Sequence, residues 1–98
     1  MTIFKQRNET ELTMILKGRV DTATAPLLEK ELSTSLDGVE KLILDFENVE
    51  YVSSAGLRVI LAAHKTMRDR DGMKLRHVNE IVQEVFDVTG LGDVLDIE

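Results

Sequence analysis

The chain predicts an α/β fold, on three observations. Five segments carry apolar residues in alternation or in short unbroken runs, as strands do. Three segments between them carry an apolar stripe at helical spacing. Turn residues (Gly18, Asp37-Gly38, Asp71-Gly72, Gly90) punctuate the boundaries. The resulting order, β-β-α-β-α-β-α-β, requires a mixed, mostly parallel sheet. A helix between two strands carries the chain back so that the next strand runs in the same direction. At 98 residues, one core and one domain spanning 1–98 are expected.

Taken in order, Thr2 to Arg7 reads as an edge strand and Leu12 to Leu16 as a stronger one, joined through Asn8-Glu9-Thr10 as a hairpin and closed by Gly18. Asp21-Thr22-Ala23-Thr24-Ala25-Pro26 is a helix start, with short oxygen-bearing caps and a proline in the first turn. A helix over 23–36 follows, with Ala23, Leu27, Leu28, Leu32 and Leu36 near one face. Lys41 to Phe46 is nearly continuous in apolar residues and so reads as a strand covered on both faces. A short loop then leads to Ser53-Ser54-Ala55-Gly56 and a helix over 54–70. Gly56, Val59, Ile60, Ala63 and Met67 form its buried stripe, and Arg58, Ala62, Lys65 and Asp69 its wet face. Met73 to Val78 is a fourth strand. Asn79 caps a helix with Ile81, Val82, Val85, Phe86 and Val88 on its apolar side, Gly90 terminates it, and Val94-Leu95 forms a short last strand.

Composition excludes several function classes. The net charge of −6 argues against nucleic acid, whose phosphates require a basic footprint, and four aromatic residues without a tryptophan make no stacking platform. There is no cysteine for a disulfide or thiolate metal site. No signal-peptide pattern and no apolar run of membrane-spanning length is present, so a cytoplasmic protein away from the membrane is expected. No glycine fingerprint for nucleotide phosphates occurs. His64 and His77 lack ligand spacing, so no metal or cofactor is expected.

Two hydroxyls at the helix start pose the central question. Ser53 and Ser54 could cap the helix, attack a substrate or be modified. Catalysis lacks its parts: the glycine that leads a nucleophile elbow is missing, and His64 lies ten residues down the same helix, about 15 Å from Ser54. The protein is therefore not expected to be an enzyme. Capping is the plain structural role of a serine here, contributing about 1 kcal/mol. Yet Gly56 in the first turn costs about 1 kcal/mol relative to alanine, which points to a close approach, either by a partner or by the sheet. Asp21, Asp45, Glu47 and Glu50 are read as a solvated rim, or as a set of carboxylates shaping a partner's approach to the serines.

The run Leu42 to Phe46 followed by Val49-Glu50-Tyr51-Val52-Ser53-Ser54-Ala55-Gly56-Leu57-Arg58-Val59-Ile60 resembles the anti-anti-sigma proteins (anti-sigma factor antagonists) of bacteria, which are STAS domains. Gly18-Arg19-Val20-Asp21 is similar to that family's Gly-x-Leu/Val-Asp before the first helix. Val85 to Leu91 is similar to its closing helix and Ser/Thr-Gly-Leu signature. The resemblance implies a single STAS domain that binds a cognate anti-sigma factor, itself a serine kinase carrying ATP or ADP, and so frees a sigma factor for RNA polymerase. It further implies phosphorylation at Ser54, loss of binding, and restoration by a phosphatase. Ser53 stands where the family most often has Asp, which makes Ser53 a rival acceptor. The implied partner surface is Asp21, Thr22, Ser53, Ser54, Gly56 and Leu57, with Gly56 permitting close approach and Leu57 making apolar contact. The alternative is an adaptor subunit of a signalling or lipid-transport assembly, in which the serines only cap the helix.

Overall fold

A computed structural model describes all 98 residues, Met1–Glu98. The alternation in Glu11–Val20 sets the architecture. Leu12, Met14 and Leu16 are buried on one side, while Thr13 and Ile15 between them are only half covered. This strand is β2. It pairs antiparallel with β1 (Thr2–Asn8) through the tight Glu9-Thr10 turn, and parallel with β3 (Lys41–Val52) after helix α1 (Ala25–Ser35). Helix α2 (Ser54–Met67) leads to β4 (Met73–Arg76). Helix α3 (Glu80–Val88) and a 3-10 turn (Leu91–Asp93) lead to β5 (Asp96–Ile97). The sheet order is β1-β2-β3-β4-β5, antiparallel only at the first pair. The mixed, mostly parallel sheet expected from the element order is thus present.

The buried residues of all three helices join a single cluster with Leu12, Met14, Leu16, Leu42, Leu44, Phe46, Met73 and Leu75 from the strands. The helices therefore lie on one face of the sheet. Phe86 of α3 meets Phe46 of β3 edge to face, with ring centroids 6.1 Å apart, and anchors that helix. The opposite face has no helix. Its rows run Phe4–Ile15–Asp45–Arg76 and Gln6–Thr13–Ile43–Lys74–Asp96 across the strands. Parallel strands are usually covered on both sides. Here charged residues flank the apolar centre instead, and Arg76 is paired with Glu98 at 2.9 Å.

The course of β3 corrects the expected loop before the serines. From Asp45 to Val52 this strand takes seven steps where its partner takes five, from Ile15 to Val20. Two bulges on β3 absorb the difference. They change the burial period from two to three, leaving Phe46, Val49 and Val52 buried with exposed pairs between them. Gly18 does not end β2. It adopts φ +109°, and the strand continues to Val20. Helix α1 is narrower and turned relative to the expected face: Ala25, Leu28 and Leu32 are buried, Ala23 precedes the helix, and Leu27 is 42% exposed. Helix α2 ends at Met67, and Arg70 beyond it donates to the carbonyls of Leu36 and Val39 at 2.7 and 2.8 Å. Strand β4 stops at Arg76 because His77 turns into the left-handed region at φ +60°. In α3 only Val82 and Phe86 are buried, whereas Ile81 and Val88 are exposed. The last strand begins two residues later than Val94, after the 3-10 turn.

Phe46 is fully buried and holds α3 to the sheet. Phe46→Ala is expected to lower unfolding free energy by about 3–5 kcal/mol, read as a fall in the urea midpoint with an unchanged slope.

Candidate functional site

Two chain reversals meet at the carboxyl ends of β2 and β3, and together they form the site. The first is the turn from β2 into α1. The Asp21 carboxylate accepts from the backbone N–H groups of Ala23 and Thr24 at 3.0 and 3.1 Å, an Asx turn that stops the strand. The Thr24 hydroxyl accepts from the Asp21 N–H at 2.9 Å and donates to the Arg19 carbonyl at 2.6 Å. Thr24 therefore ties the turn together and leaves the helix N-terminus without a side-chain cap. The Arg19 guanidinium lies 3.4 Å from the other Asp21 oxygen and 5.2 Å above the Tyr51 ring, joining this turn to β3. Asp21 is held below the usual carboxylate range, chiefly by the Thr24 N–H, with further help from the Thr24 hydroxyl, the Ala23 N–H and Arg19.

The second reversal passes from β3 into α2 without a loop. The Ser53 N–H donates to the Val20 carbonyl at 2.8 Å, so the sheet ladder reaches the residue that starts the helix. Ser53 has extended backbone angles, and its hydroxyl accepts from the Gly56 N–H at 3.5 Å while its carbonyl accepts from Leu57 N–H at 2.9 Å. It is the N-cap. Ser54 is the first helical residue, and it is exposed where Ser53 is half-buried. The two hydroxyls, which the sequence leaves as rivals, differ in place: one is turned into the helix end and the other toward solvent.

Gly56 and Leu57 require a correction as partner contacts. A Cβ on Gly56 would lie 2.7 Å from both the Val20 carbonyl oxygen and a Val20 methyl, and 3.1 Å from a Val52 methyl. The close approach that the glycine permits is that of the sheet, on the inner side of the helix. Leu57 is 7% exposed and belongs to the core. Neither offers a partner a surface. Exposed residues of the two turns and the first turns of the helices include Thr22, Pro26, Tyr51 and Arg58. Thr22, Pro26, Ala55 and Arg58 line the upper end of a groove of about 260 Å³ between α1 and α2. It continues past Glu29, Val59 and Ala62 into a second recess of about 380 Å³ ending at Asp37 and Arg70.

The four carboxylates do not gather at the serines. Asp45 and Glu47 instead meet His77 on the helix-free face, where its Nδ1 is 3.0 Å from Asp45 Oδ1 and 3.9 Å from Glu47 Oε2. The Asp45 carboxylate also accepts from the Glu47 N–H at 3.0 Å. His77 follows Asp45 by 32 residues, so spacing along the chain gave no sign of this grouping. His64 is on α2, and its carbonyl accepts from Arg68 N–H. The sequence does not single out Arg19, Tyr51 or Arg58 for this candidate surface, where the structure sets Arg19 against Asp21 and Tyr51 and places Arg58 on the groove. The one available signal was Arg58, four residues after Ser54 and so one helical turn away.

The family model for the STAS domain matches residues 3–98. The anti-sigma-B factor antagonist of Bacillus subtilis is 30% identical over 93 residues, covering 94% of this chain and 85% of that protein. BtrV of Bordetella bronchiseptica is 36% identical over 88 residues, covering 88% of this chain and 76% of that protein. Among solved structures, an anti-sigma factor antagonist from Mycobacterium paratuberculosis superposes with a TM-score of 0.87 at 22% identity, covering 98% of this chain and 83% of that one. The antagonist SpoIIAA in its unphosphorylated form superposes with a TM-score of 0.83 at 20% identity, covering 99% and 88%. These superpositions establish the shared fold.

Two expectations follow from the packing and the charges. Gly56→Ala gains about 1 kcal/mol of helix propensity but forces a methyl against a backbone carbonyl. It is expected to be net destabilising, with an overpacking cost of about 1–3 kcal/mol, measured by urea unfolding. Asp21 has a lowered pKa in the folded state, so its charge stabilises the fold above the ordinary value of 3.8 and ceases to do so as pH falls through the lowered value. Wild type should therefore exceed Asp21→Asn in thermal stability at pH 6. The gap should close progressively below about pH 4.

Proposed function

The chain belongs to the STAS domain family, and on that premise we propose that it is a non-catalytic anti-sigma factor antagonist switched by phosphorylation of Ser54. Unphosphorylated, it binds an anti-sigma factor that is a serine kinase, and the bound sigma factor is released to RNA polymerase in the cytoplasm. The kinase supplies ATP. The Ser54 hydroxyl oxygen forms a bond to the γ-phosphorus, the bond to the ADP oxygen breaks, ADP leaves, and the hydroxyl proton passes to a base on the kinase. A phosphatase returns the serine by hydrolysis.

The observation that carries this reading is the division of labour between the serines. Ser53 occupies the N-cap and accepts from the Gly56 N–H, whereas Ser54 is exposed at the first helical position. A kinase needs a hydroxyl it can reach, and Ser54 meets that need with no unwinding of the helix. Serine and aspartate are both good N-caps, so Ser53 can serve where relatives most often have Asp. The relatives' names support the antagonist role. That SpoIIAA is known both unphosphorylated and phosphorylated supports the covalent switch.

A phosphate at the N-terminus of α2 brings about −1.5 to −2 charge to a place where the helix dipole favours anions by about 0.3–1 kcal/mol. The fold is not threatened. The partner, however, meets a dianion in place of a hydroxyl, and like-charge or desolvated contacts in an interface cost several kcal/mol. In this reading Thr22 is an exposed contact across the groove end from Ala55. Asp21 holds the turn that presents Thr22.

Incubation with the partner kinase and ATP, followed by mass-spectrometric mapping, tests the assignment. Wild type and Ser53→Ala should each carry one phosphate at position 54, and Ser54→Ala none. The phosphorylated protein should bind its kinase about 100-fold more weakly, the equivalent of about 3 kcal/mol. A phosphate on Ser53, or undiminished binding after modification of Ser54, would sink the proposal.

A further inference from the structure

The surface of α2 directly behind Ser54 carries one cation, Arg58. At 100° per residue it lies about 40° around the helix from Ser54 and one turn along it, with Cβ atoms of such pairs about 5–6 Å apart. Helical side chains lean toward the N-terminus, so an arginine at this position covers the turn that precedes it, which here is the turn bearing Ser54. Arg58 is exposed and takes part in none of the molecule's ion pairs or side-chain hydrogen bonds, whereas Arg19, Arg70 and Arg76 are all engaged. The first turn of α2 contains no acidic residue, and Glu29 of α1, which lines the same groove, forms no ion pair with Arg58. Arg58 also lines the upper end of the groove between α1 and α2, beside Thr22 and Ala55.

We propose that Arg58 is a built-in counterion for phosphorylated Ser54, drawing the phosphate along α2 and over the Thr22–Ala55 end of the inter-helix groove. The inference rests on Ser54 being the modified residue. It adds that the phosphate is fixed by this chain's own guanidinium. A fork of N–H donors matches phosphate oxygens and makes charge-assisted bonds stronger than neutral ones. Part of the added charge is thereby neutralised within the molecule. The block on partner binding then comes mainly from where the phosphate sits, and only secondarily from net repulsion. Arg58 acts as a positioning residue, with no part in the transfer itself.

Phosphoserine inserted at position 54 during translation gives the modified protein without any kinase. Its phosphorus NMR titration reads the second ionisation of the phosphate directly. The dipole of α2 acts equally in every variant, so the contribution of Arg58 is the difference between wild type and Arg58→Gln. The expected result is a midpoint about half a pH unit lower in wild type than in Arg58→Gln, with Arg58→Lys between them. Phosphorylated wild type should also show one arginine side-chain N–H resonance slowed in exchange, absent in Arg58→Gln. Equal midpoints, or a lower one in Arg58→Gln, would overturn the counterion. Failure of a kinase to modify Ser54 would overturn the switch and leave this result standing, so the two outcomes are distinguishable. Arg58 is exposed, and equal melting temperatures of the unmodified proteins would verify that the substitution leaves the fold intact.

Discussion

The first turn of α2 lies so close to β2 and β3 that position 56 has no room for a Cβ. Everything at the site depends on that contact. It seats the helix end against the Val20 carbonyl, whose other duty is to accept the Ser53 N–H. With the backbone pinned on both sides of the strand-to-helix corner, the roles of the next residues are determined. Ser53 must cap, Ser54 must face outward, and Leu57 must enter the core. The about 1 kcal/mol that glycine costs in a helix is offset by a packing that no larger residue could make.

A rigid corner suits a switch that acts by surface chemistry alone. The modification adds a favourable dipole interaction of at most about 1 kcal/mol within the chain, against a loss of several kcal/mol in the interface it would block. In the proposed switch the second quantity wins, so a modified protein would stay folded while its partner leaves. Such a switch would need no internal rearrangement, since the modified atom would lie in the contact itself. The neighbouring turn is braced in the same manner. Asp21, Thr24 and the Arg19 carbonyl bind one another, and Arg19 extends over Tyr51, so the two halves of the surface are tied across the strands.

The order of elements and the sheet type were legible because the periods were clean: Leu12-Met14-Leu16 alternate, and Gly56-Val59-Ile60-Ala63-Met67 follow a helical stripe. The segment before the serines was not. Two bulges give Phe46, Val49 and Val52 a spacing of three, which belongs to neither template, and exposed Glu47, Asn48, Glu50 and Tyr51 read as loop. The meaning of Gly56 was half legible. Its cost in a helix signalled a close approach, but only the packing tells whether sheet or partner is the one approaching. The family resemblance marked the two serines and named Ser54. The capping hydrogen bond and the difference in exposure supply the physical distinction between them. The Asp45–His77 pair was beyond reach, since two residues 32 apart met only because β3 and β4 are neighbours.

The crowding of all three helices onto one side gives the molecule a front and a back. The serines stand at the rim of the front. Lys74 and Arg76 point from the back, with a full layer of sheet between them and the helices. A dye, linker or solid support attached through Lys74 would thus leave the front untouched, and the face that carries the serines could be watched, or held in place, from behind.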